Sequence, residues 1–323
     1  MRFTIATCLL VAVAGWGAGA EPAAAKKDHP EGTVSVIRDG RIAESSALAL
    51  SVMHDDLVYT VNDRGNRPMI FAIRLSTGEV VGTTDVSSLS VEDTESLAVD
   101  AAGTLWLGDL GDNDHNRDDV SIISFPEPGP GDHHLSSAER YPVSLPDGAV
   151  DIEGMLIQPQ TDRVRLVTKN RNGLGTIYDL PPLVAGVTAE AEDTGVDAPE
   201  AVTDATYTSD GRWALLRTND DVWVYDAKTW KPVRRLEGPD LAQGESITVE
   251  PGDRSVLLGS EGKNSPIVRM RLPKNPGADG PIALVDESGA KVEPLPAIAV
   301  LLAGLFVAAV VLIRRSRVSR GRI

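Results

Sequence analysis

The chain has 323 residues, with 31 basic and 47 acidic side chains and a formal net charge of −16. A balance this negative repels nucleic acid, so a nucleic-acid partner is excluded. The sequence contains one cysteine, Cys8, which excludes a disulfide framework and a zinc site built on cysteines.

The first 20 residues have the pattern of a signal peptide. Arg2 supplies the positive start, residues 3–13 form an apolar core, and residues 18–20 (Ala-Gly-Ala) satisfy the small-residue rule for cleavage. Residues 21–32 are predicted to follow as a flexible polar leader. Since Cys8 lies inside the signal segment, the mature protein is predicted to contain no cysteine.

The stretch from Glu92 to Pro128 is predicted to form one complete unit of antiparallel sheet. Residues 96–99 and 104–110 are apolar strands around a glycine turn, and residues 120–125 form a third strand that ends at prolines. A polar loop rich in Asp and Asn joins the second strand to the third. The hairpin brings the acids that precede the first strand beside those that follow the second.

Four other segments repeat this order of acid, strand, turn, strand, polar loop and strand. One acid marks the opening of each unit: Glu44, Glu95, Glu153, Asp204 and Glu245, at spacings of 51, 58, 51 and 41 residues. Repeats of about 40–50 residues with four strands each are typical of propeller blades. The sequence therefore predicts an all-β fold, a five-bladed β-propeller over residues 33–287, with six blades as the alternative.

A fourth, outer strand is predicted to follow four of the units. These outer strands are residues 79–85, 139–145, 187–193 and 231–236. The fifth unit has no obvious outer strand of its own. Residues 33–37 are expected to supply it and so close the ring, which would hide two sheet edges. Residues 282–285 are the competing candidate.

A membrane anchor is predicted beyond the propeller. Residues 288–294 form a short linker, and residues 295–313 carry no charge. As a helix this stretch would be about 28 Å long, enough for a bilayer core of about 30 Å. Five arginines in the tail, residues 314–323, place that end in the cytoplasm. The predicted localisation is the cell membrane, crossed once, with the propeller outside.

The same C-terminus also resembles bacterial sorting tails, in which a motif precedes an apolar helix and basic residues. Residues 292–297 lack the Thr-Gly of a sortase site, so a retained anchor is the preferred interpretation. Between the signal segment and the tail lie 25 basic and 47 acidic side chains, a net charge of −22. Such a field attracts cations or basic partners.

Several motifs together resemble a group of secreted actinobacterial β-propellers. They are VNDRG (61–65), EDTESLAVD (92–100), LWLGDLGDN (105–113), FPEP (125–128), VDIEGMLIQPQTDRVRLVTK (150–169) and GESITVEPGD (244–253). This resemblance implies the fold and leaves the activity open. More distantly, the openings of the units are similar to β-propeller phytases and to the gluconolactonase and calcium-dependent phosphotriesterase superfamily. In those enzymes, acids around the propeller mouth bind calcium. Glu95, Glu153 and Glu245 match that opening best.

The marker acids are the main candidate for chemistry. If each one opens an inner strand, all five line one mouth of the central channel. The candidate metal ligands are Glu95, Glu153, Glu245, Glu44 and Asp204, with Asp109 and Asp112 from a neighbouring loop. Clustered carboxylates ionise together only beside a cation, so one interpretation is a calcium site built from oxygen ligands. In the other, each acid accepts hydrogen bonds from backbone N–H groups of the adjacent blade.

A second candidate is an alternation typical of a calcium loop. It consists of Asp112, Asp114, Asn116 and Asp118. Arg117 stands where such a loop has glycine, and Ile123 stands where it has glutamate, so an ordinary polar turn is the alternative interpretation. Lys169 and Arg217, at the ends of second strands, are predicted to reach the same mouth as the acids. The tryptophans are predicted to pack between blades.

Two classes of function follow from these patterns. The sequence has no HExxH motif, no Walker loop and no nucleophile-elbow serine, which favours a binding or scaffold module. This module would be anchored in the membrane and would bind an unknown extracellular ligand or protein. The alternative is a calcium-dependent hydrolase of phosphoesters or lactones, in which the acids hold a metal that polarises water. Catalytic residues are left unassigned.

Overall fold

The computed structural model describes residues 29–284. The predicted signal peptide, linker, membrane helix and tail lie outside these residues. Within this range, no helix has the length and apolar character needed to cross a bilayer. The described chain folds into 22 strands and one short 3-10 helix, Ser87–Leu89.

The strands form five sheets, one for each predicted unit, and within each sheet the strands follow one another from the channel outward. The first contains β2 (Ala49–Leu50), β3 (Leu57–Val61), β4 (Met69–Arg74), β5 (Glu79–Asp85) and β9 (Gly131–His134). The second contains β6 (Thr94–Val99), β7 (Thr104–Asp109), β8 (Ser121–Pro126), β10 (Glu139–Ser144) and β14 (Ala189–Glu190). The third contains β11 (Ile152–Ile157), β12 (Val164–Thr168), β13 (Gly175–Asp179) and β15 (Glu192–Ala198). The fourth contains β16 (Val202–Tyr207), β17 (Trp213–Thr218), β18 (Asp221–Asp226) and β19 (Lys231–Glu237). The fifth contains β20 (Gly244–Val249), β21 (Ser255–Ser260), β22 (Pro266–Arg271) and β1 (Thr33–Val36).

The N-terminal strand closes the ring. β1 pairs antiparallel with β22, with Ser35 opposite Ile267, which confirms the role predicted for residues 33–37. The competing segment forms no strand over its described residues, 282–284. Ile282 instead donates its N–H to the carbonyl of Pro232, at 2.8 Å. Residues 29–284 contain five sheets and no sixth, so the protein is a five-bladed β-propeller and the six-bladed alternative is wrong.

Three of the four predicted outer strands are confirmed, and one is wrong. β5, β10 and β19 match the predictions, but the outer strand of the third blade is β15 rather than residues 187–193. The predicted segment is divided between two blades, because β14 pairs in parallel with β10 of the second blade. Ala189 and Ala191 are buried in the apolar cluster between the second and third blades. The first part of the predicted segment therefore covers the edge of the preceding blade.

The core consists of five apolar clusters, one between each pair of neighbouring blades. Strand β7 shows how one sequence supplies two clusters. Leu105 and Leu107 pack toward the first blade, and Trp106 packs toward the third, because side chains alternate across a strand. Trp213 and Trp223 are buried in the same way, as predicted, and Trp230 packs partly buried against one cluster.

The five inner strands β2, β6, β11, β16 and β20 surround a channel. The first residues of β6, β11, β16 and β20 lie at one end of it, where Ser96 and Thr203 donate to carbonyls at the start of the next blade. Thr94 donates at the same end to the carbonyl of Asn62, just after β3. We call this end the acidic face. The opposite face is formed by the turns that follow the inner strands, residues 51–56, 100–103, 158–163, 208–212 and 250–254. A cavity of about 410 Å³ there is lined by apolar side chains from all five blades.

Candidate metal centre

Each inner strand opens with a β-bulge, where its pairing with the second strand slips by one residue. The extra residues in blades two to five are Glu95, Glu153, Thr203 and Glu245. In the first blade Ser46 occupies the same position, because Ser45 bridges Asn62 while Ala49 pairs with Tyr59. A bulge re-aims the side chain of its extra residue, and all five of these residues are buried at the acidic face.

The bulge shows that two of the five marker acids are not at the equivalent position. Glu44 lies two residues before Ser46, on the exposed rim, where it accepts a hydrogen bond from Asn66. Asp204 follows the extra residue Thr203. Its carboxylate accepts the N–H groups of Ala205 at 2.7 Å and of Ile247 at 2.9 Å, which links the fourth blade to the fifth. The expectation of a ring of five equivalent acids is therefore wrong.

Asp109 and Asp112 already have hydrogen-bond donors from the protein. Asp109 Oδ1 accepts the N–H of Glu92 and of Asp93, each at 3.0 Å, and a guanidinium N–H of Arg117 at 3.1 Å. Asp112 accepts the N–H groups of residues 116 and 117 within its own loop. These carboxylates hold loops in place. The turn interpretation therefore fits the loop better than the calcium-loop alternation, since exposed Asp114 pairs with Arg64 at 2.9 Å.

Among the described residues, one group of three acids brings its ligand atoms within 4.8 Å of one another. The group is Asp63, Asp93 and Glu95, and we call it the acidic triad. Asp63 follows β3 of the first blade, whereas Asp93 and Glu95 open β6 of the second. Sequence reasoning selected Glu95 as a ligand but not Asp93. The signal was present, because alternate residues of an extended segment point to the same side.

The buried oxygens of the triad lack donors. Neither oxygen of Asp93 nor Oε1 of Glu95 has a hydrogen-bond partner, and the other Glu95 oxygen accepts the hydroxyl of Ser46. The nearest cation is the exposed guanidinium of Arg64, whose Nε lies 4.0 Å from Asp93 Oδ2. Unpaired carboxylates are costly to bury unless they are protonated or neutralised by a metal ion.

Gly111 makes room for these two carboxyl groups. A Cβ atom at this position would lie 2.5 Å from Asp93 Cγ and 2.8 Å from Glu95 Cγ. Contacts that short are not tolerated, so glycine allows the loop after β7 to pack directly on the triad. The loop after β7 thus holds the carboxyl groups of Asp93 and Glu95 close together, and it donates no hydrogen bond to their unpaired oxygens.

The electrostatics of the triad favour a proton or a cation at neutral pH. Burial, followed by contact with Asp63, raises the pKa of Asp93 to about 7. Burial also raises the pKa of Glu95 well above its ordinary value, and the charge of Glu153 adds to this effect. Nearby Glu261 has a pKa of about 7, raised by burial and by the charge of Glu245.

The other half of the mouth contains its own cation. Lys169 Nζ lies 2.7 Å from Glu153 Oε1, and the lysine side chain is only 9% exposed. Burial would lower the pKa of Lys169, but the charges of Glu153 and Glu245 outweigh it and raise the pKa. Burial raises the pKa of Glu153 to about 8, although Lys169 opposes that shift. Lys169 therefore reaches the mouth, as predicted.

Arg217 does not reach the mouth, and that prediction is wrong. Its guanidinium is fully buried in the fourth blade, where it donates to the carbonyls of Asp221 at 3.2 Å and of Asn219 at 2.9 Å. Gly238 and Gly244 leave space for it. Burial lowers the pKa of Arg217 to about 10.

The acidic face is open to a ligand. Two cavities, of about 410 and 440 Å³, lie on either side of Lys169 and Arg171. The first is lined by amide side chains, including Asn113 and Asn172, and the second by Gln243 and Glu245. The arrangement is thus a polar mouth in which buried Lys169 neutralises one half, whereas the other half has only the exposed guanidinium of Arg64, 4.0 Å from Asp93.

Comparison with known proteins adds two similar structures. No family model and no curated protein matches the chain. A chain in the crystal structure of a nidogen/laminin complex is 16% identical with a TM-score of 0.41, over 68% of this chain and 73% of that one. A luciferin-regenerating enzyme is 10% identical with a TM-score of 0.44, over 71% of this chain and 78% of that one. The relationships suggested by the sequence motifs stay predictions.

Proposed function

We propose that this protein is a membrane-anchored extracellular β-propeller that binds its ligand at the acidic mouth, with a calcium ion held by Asp63, Asp93 and Glu95. One observation carries the proposal. Three buried oxygens of Asp93 and Glu95 have no hydrogen-bond donor in the described chain, and these residues belong to a triad whose ligand atoms lie within 4.8 Å of one another. A cation bound there would neutralise these buried carboxylates.

The donor set fits calcium better than other common ions. All three side chains offer carboxylate oxygens, whereas zinc favours nitrogen and sulfur ligands. Calcium takes 6–8 oxygen ligands in flexible geometry, so three carboxyl groups would leave positions for water and for oxygens of a ligand. The ion would supply positive charge at the mouth, and the triad would fix its place at the seam of the first two blades.

Calcium binding is tested by thermal unfolding of the purified protein. Binding to the folded state alone stabilises it by about 2.7 kcal/mol at one hundred times Kd, which for a domain of this size is a few degrees. We expect chelator to lower the midpoint and calcium to restore it. Asp93→Asn should abolish the response, whereas Glu44→Gln, which removes an exposed rim charge, should retain it.

Potassium chloride at matched ionic strength is the control, because screening of so many negative charges is itself stabilising. If potassium reproduces the whole effect, or if Asp93→Asn responds like the unaltered protein, the triad is not a calcium site.

A hydrolase is the second candidate, and the protonation of the mouth favours it. Burial and the charge of Glu245 raise the pKa of Glu261 to about 7, so this group exchanges protons near neutral pH, as a general acid or base must. Phosphoester and lactone substrates offered with and without calcium decide between the candidates. Calcium-dependent turnover that is lost in Asp93→Asn would establish the hydrolase. Its absence, together with calcium binding, would leave the binding module.

Membrane anchoring is supported by the sequence at both ends. A signal-like segment opens the chain, and residues 295–313 form an uncharged stretch followed by arginines. Protease added to intact cells should remove the propeller and leave a small membrane-bound fragment. Full protection of the propeller would contradict this topology.

A further inference from the structure

The central channel ends at the opposite face in a cavity of about 410 Å³, which we call the opposite-face cavity. Its lining comes from the five inner strands and from the turns that follow them. Each apolar cluster of the core lies between two blades, whereas this cavity is contacted by all five. A concave apolar surface on which several elements converge is the usual form of a small-molecule site.

Part of the apolar lining stays accessible in the described chain. Leu97 is buried in the wall, whereas the last residues of three inner strands, Leu50, Val99 and Val249, are half-buried. Val52, at the rim, is about half exposed. Among the described residues, neither β1 nor the segment after β22 contributes to the lining. An apolar ligand in the cavity would remove this surface from water, which is favourable.

The charged side chains of the lining are both acidic. They are Asp55 and Asp100, and no lysine, arginine or histidine of the described chain lines the cavity. The carboxylate of Asp100 already accepts two backbone N–H groups of its hairpin and the indole N–H of Trp106, each at 2.9 Å. Asp55 lies exposed in the turn after β2. A negatively charged ligand is therefore disfavoured, and an ammonium group would meet a carboxylate at the rim.

The hydroxyl groups in the wall are engaged with the protein. Thr248 accepts the N–H of Leu50 at 3.3 Å, which links the fifth blade to the first, and Thr206 donates to the carbonyl of Tyr207 at 3.4 Å. The wall thus offers apolar contact surface more than hydrogen bonds. Size and charge would therefore select the ligand.

We propose that the opposite-face cavity is a second ligand site, which binds a compact apolar amine. The hydrocarbon body would lie among the inner strands, and the ammonium group would lie at the rim beside Asp55. Ligand pockets measure roughly 300–1,000 Å³, so this cavity accommodates a small ring or cage compound. The cavity shares no lining residue with the acidic triad, so this site is independent of the function proposed for the acidic mouth.

The test compares three probes that share one hydrocarbon cage and differ in charge: adamantylamine, adamantanol and adamantane carboxylate. Each is titrated by calorimetry into the full chain in phosphatidylcholine vesicles, because detergent would compete for an apolar cavity. Vesicles without protein give the blank for partition into lipid. We expect one adamantylamine to bind per chain and the alcohol to bind more weakly. The carboxylate should bind about tenfold more weakly than the amine.

Two exposed acids of the opposite face form a matched pair for the charge. Asp55→Asn should abolish the preference for the amine over the alcohol, whereas Asp162→Asn, outside the lining, should keep it. Thr206→Trp should fill the cavity and weaken the binding of all three probes. Circular dichroism shows whether that variant folds. Val52→Ser changes an exposed side chain at the rim, so it tests the same contact in a folded protein and should also weaken the probes.

Three results would overturn the proposal. They are the absence of binding, equal affinity for the amine and the carboxylate, and undiminished binding in folded Thr206→Trp. A fourth result concerns the acidic mouth, whose carboxylates also attract an amine. Binding that keeps its amine preference in Asp55→Asn but is lost in Asp93→Asn would assign the amine to the mouth, and this too would overturn the proposal.

Discussion

The two halves of the acidic mouth balance their charge in different ways. Beside the third and fifth blades, Lys169 donates to Glu153 at 2.7 Å and lies close to Glu245. At the seam of the first and second blades, Asp63, Asp93 and Glu95 face one another, and three of their buried oxygens have no donor. The number of acids is therefore a poor guide to a metal site. What distinguishes the two halves is whether the fold supplies a buried cation that donates to the carboxylates, as Lys169 does, or only an exposed one, as Arg64 is.

The second blade repeats this contrast within a single hairpin. Asp109 at the end of β7 accepts two backbone N–H groups and a guanidinium, whereas Asp93, beside it, accepts nothing through its side chain. Neighbouring carboxylates of the same sequence motif thus have separate tasks. One fixes the loop, and the other has no hydrogen-bond donor in the described chain.

The largest expected effect comes from removing the internal cation. Lys169→Met would leave Glu153 and Glu245 buried without a counter-charge, and breaking a buried ion pair in this way costs about 3–5 kcal/mol. Denaturant unfolding in chelator measures the loss. The double variant Lys169→Met/Glu153→Met should recover most of it. A single variant as stable as the unaltered protein would mean that the lysine does not neutralise this half.

The next effect separates structural acids from ligand candidates. Asp204→Ala leaves the buried N–H groups of Ala205 and Ile247 without their acceptor, which should cost about 2–3 kcal/mol. Calcium should still stabilise this variant by the same increment as the unaltered protein. If the calcium response disappears together with the carboxylate, Asp204 belongs to the metal site and its assignment as a structural acid is wrong.

A smaller effect is expected from crowding the triad. Gly111→Ala places a methyl group against Asp93 and Glu95, and overpacking of this kind costs about 1–3 kcal/mol. The displaced carboxyl groups should also bind calcium more weakly. Gly40→Ala is the matched control, because a Cβ atom there meets nothing within 4 Å. Equal calcium affinity in both variants would show that the packing of Gly111 does not position the ligands.

The last prediction concerns the pH dependence of stability. The pKa values of Asp93 and Glu261 are both raised in the folded state to about 7, so folding binds protons between about pH 4 and pH 7. Raising the pH through that window therefore lowers the free energy of unfolding, by about 1 kcal/mol per pH unit for each proton involved. The slope should flatten in calcium, since the ion favours ionised carboxylates. A calcium-free protein that gains stability from pH 6 to pH 8 would contradict this sign.

The sequence was sufficient for the fold because each blade repeats a long and redundant pattern. The spacing of the marker acids favoured five blades, with six left open, and the alternation of Leu105, Trp106 and Leu107 predicted the two faces of β7. The residues of the candidate metal site were harder to predict from the sequence. In the second blade the extra residue of the bulge is Glu95, whose side chain meets Ser46 of the first blade. In the fourth blade the acid is one residue later, and Asp204 accepts the N–H of Ile247 in the fifth blade. The position of such a bulge cannot be predicted from residue type. The pairing of β14 with the preceding blade was missed because short parallel contacts depend on tertiary packing.

Calorimetric titration of calcium into chelator-treated protein tests most directly whether the half of the mouth without lysine holds a divalent cation. We predict one calcium ion per chain, with protons released on binding. Binding should be lost in Asp93→Asn and kept in Glu245→Gln, whose carboxylate lies in the half that Lys169 neutralises. Binding that survives Asp93→Asn and disappears in Glu245→Gln, or no binding at all, would contradict the proposed site.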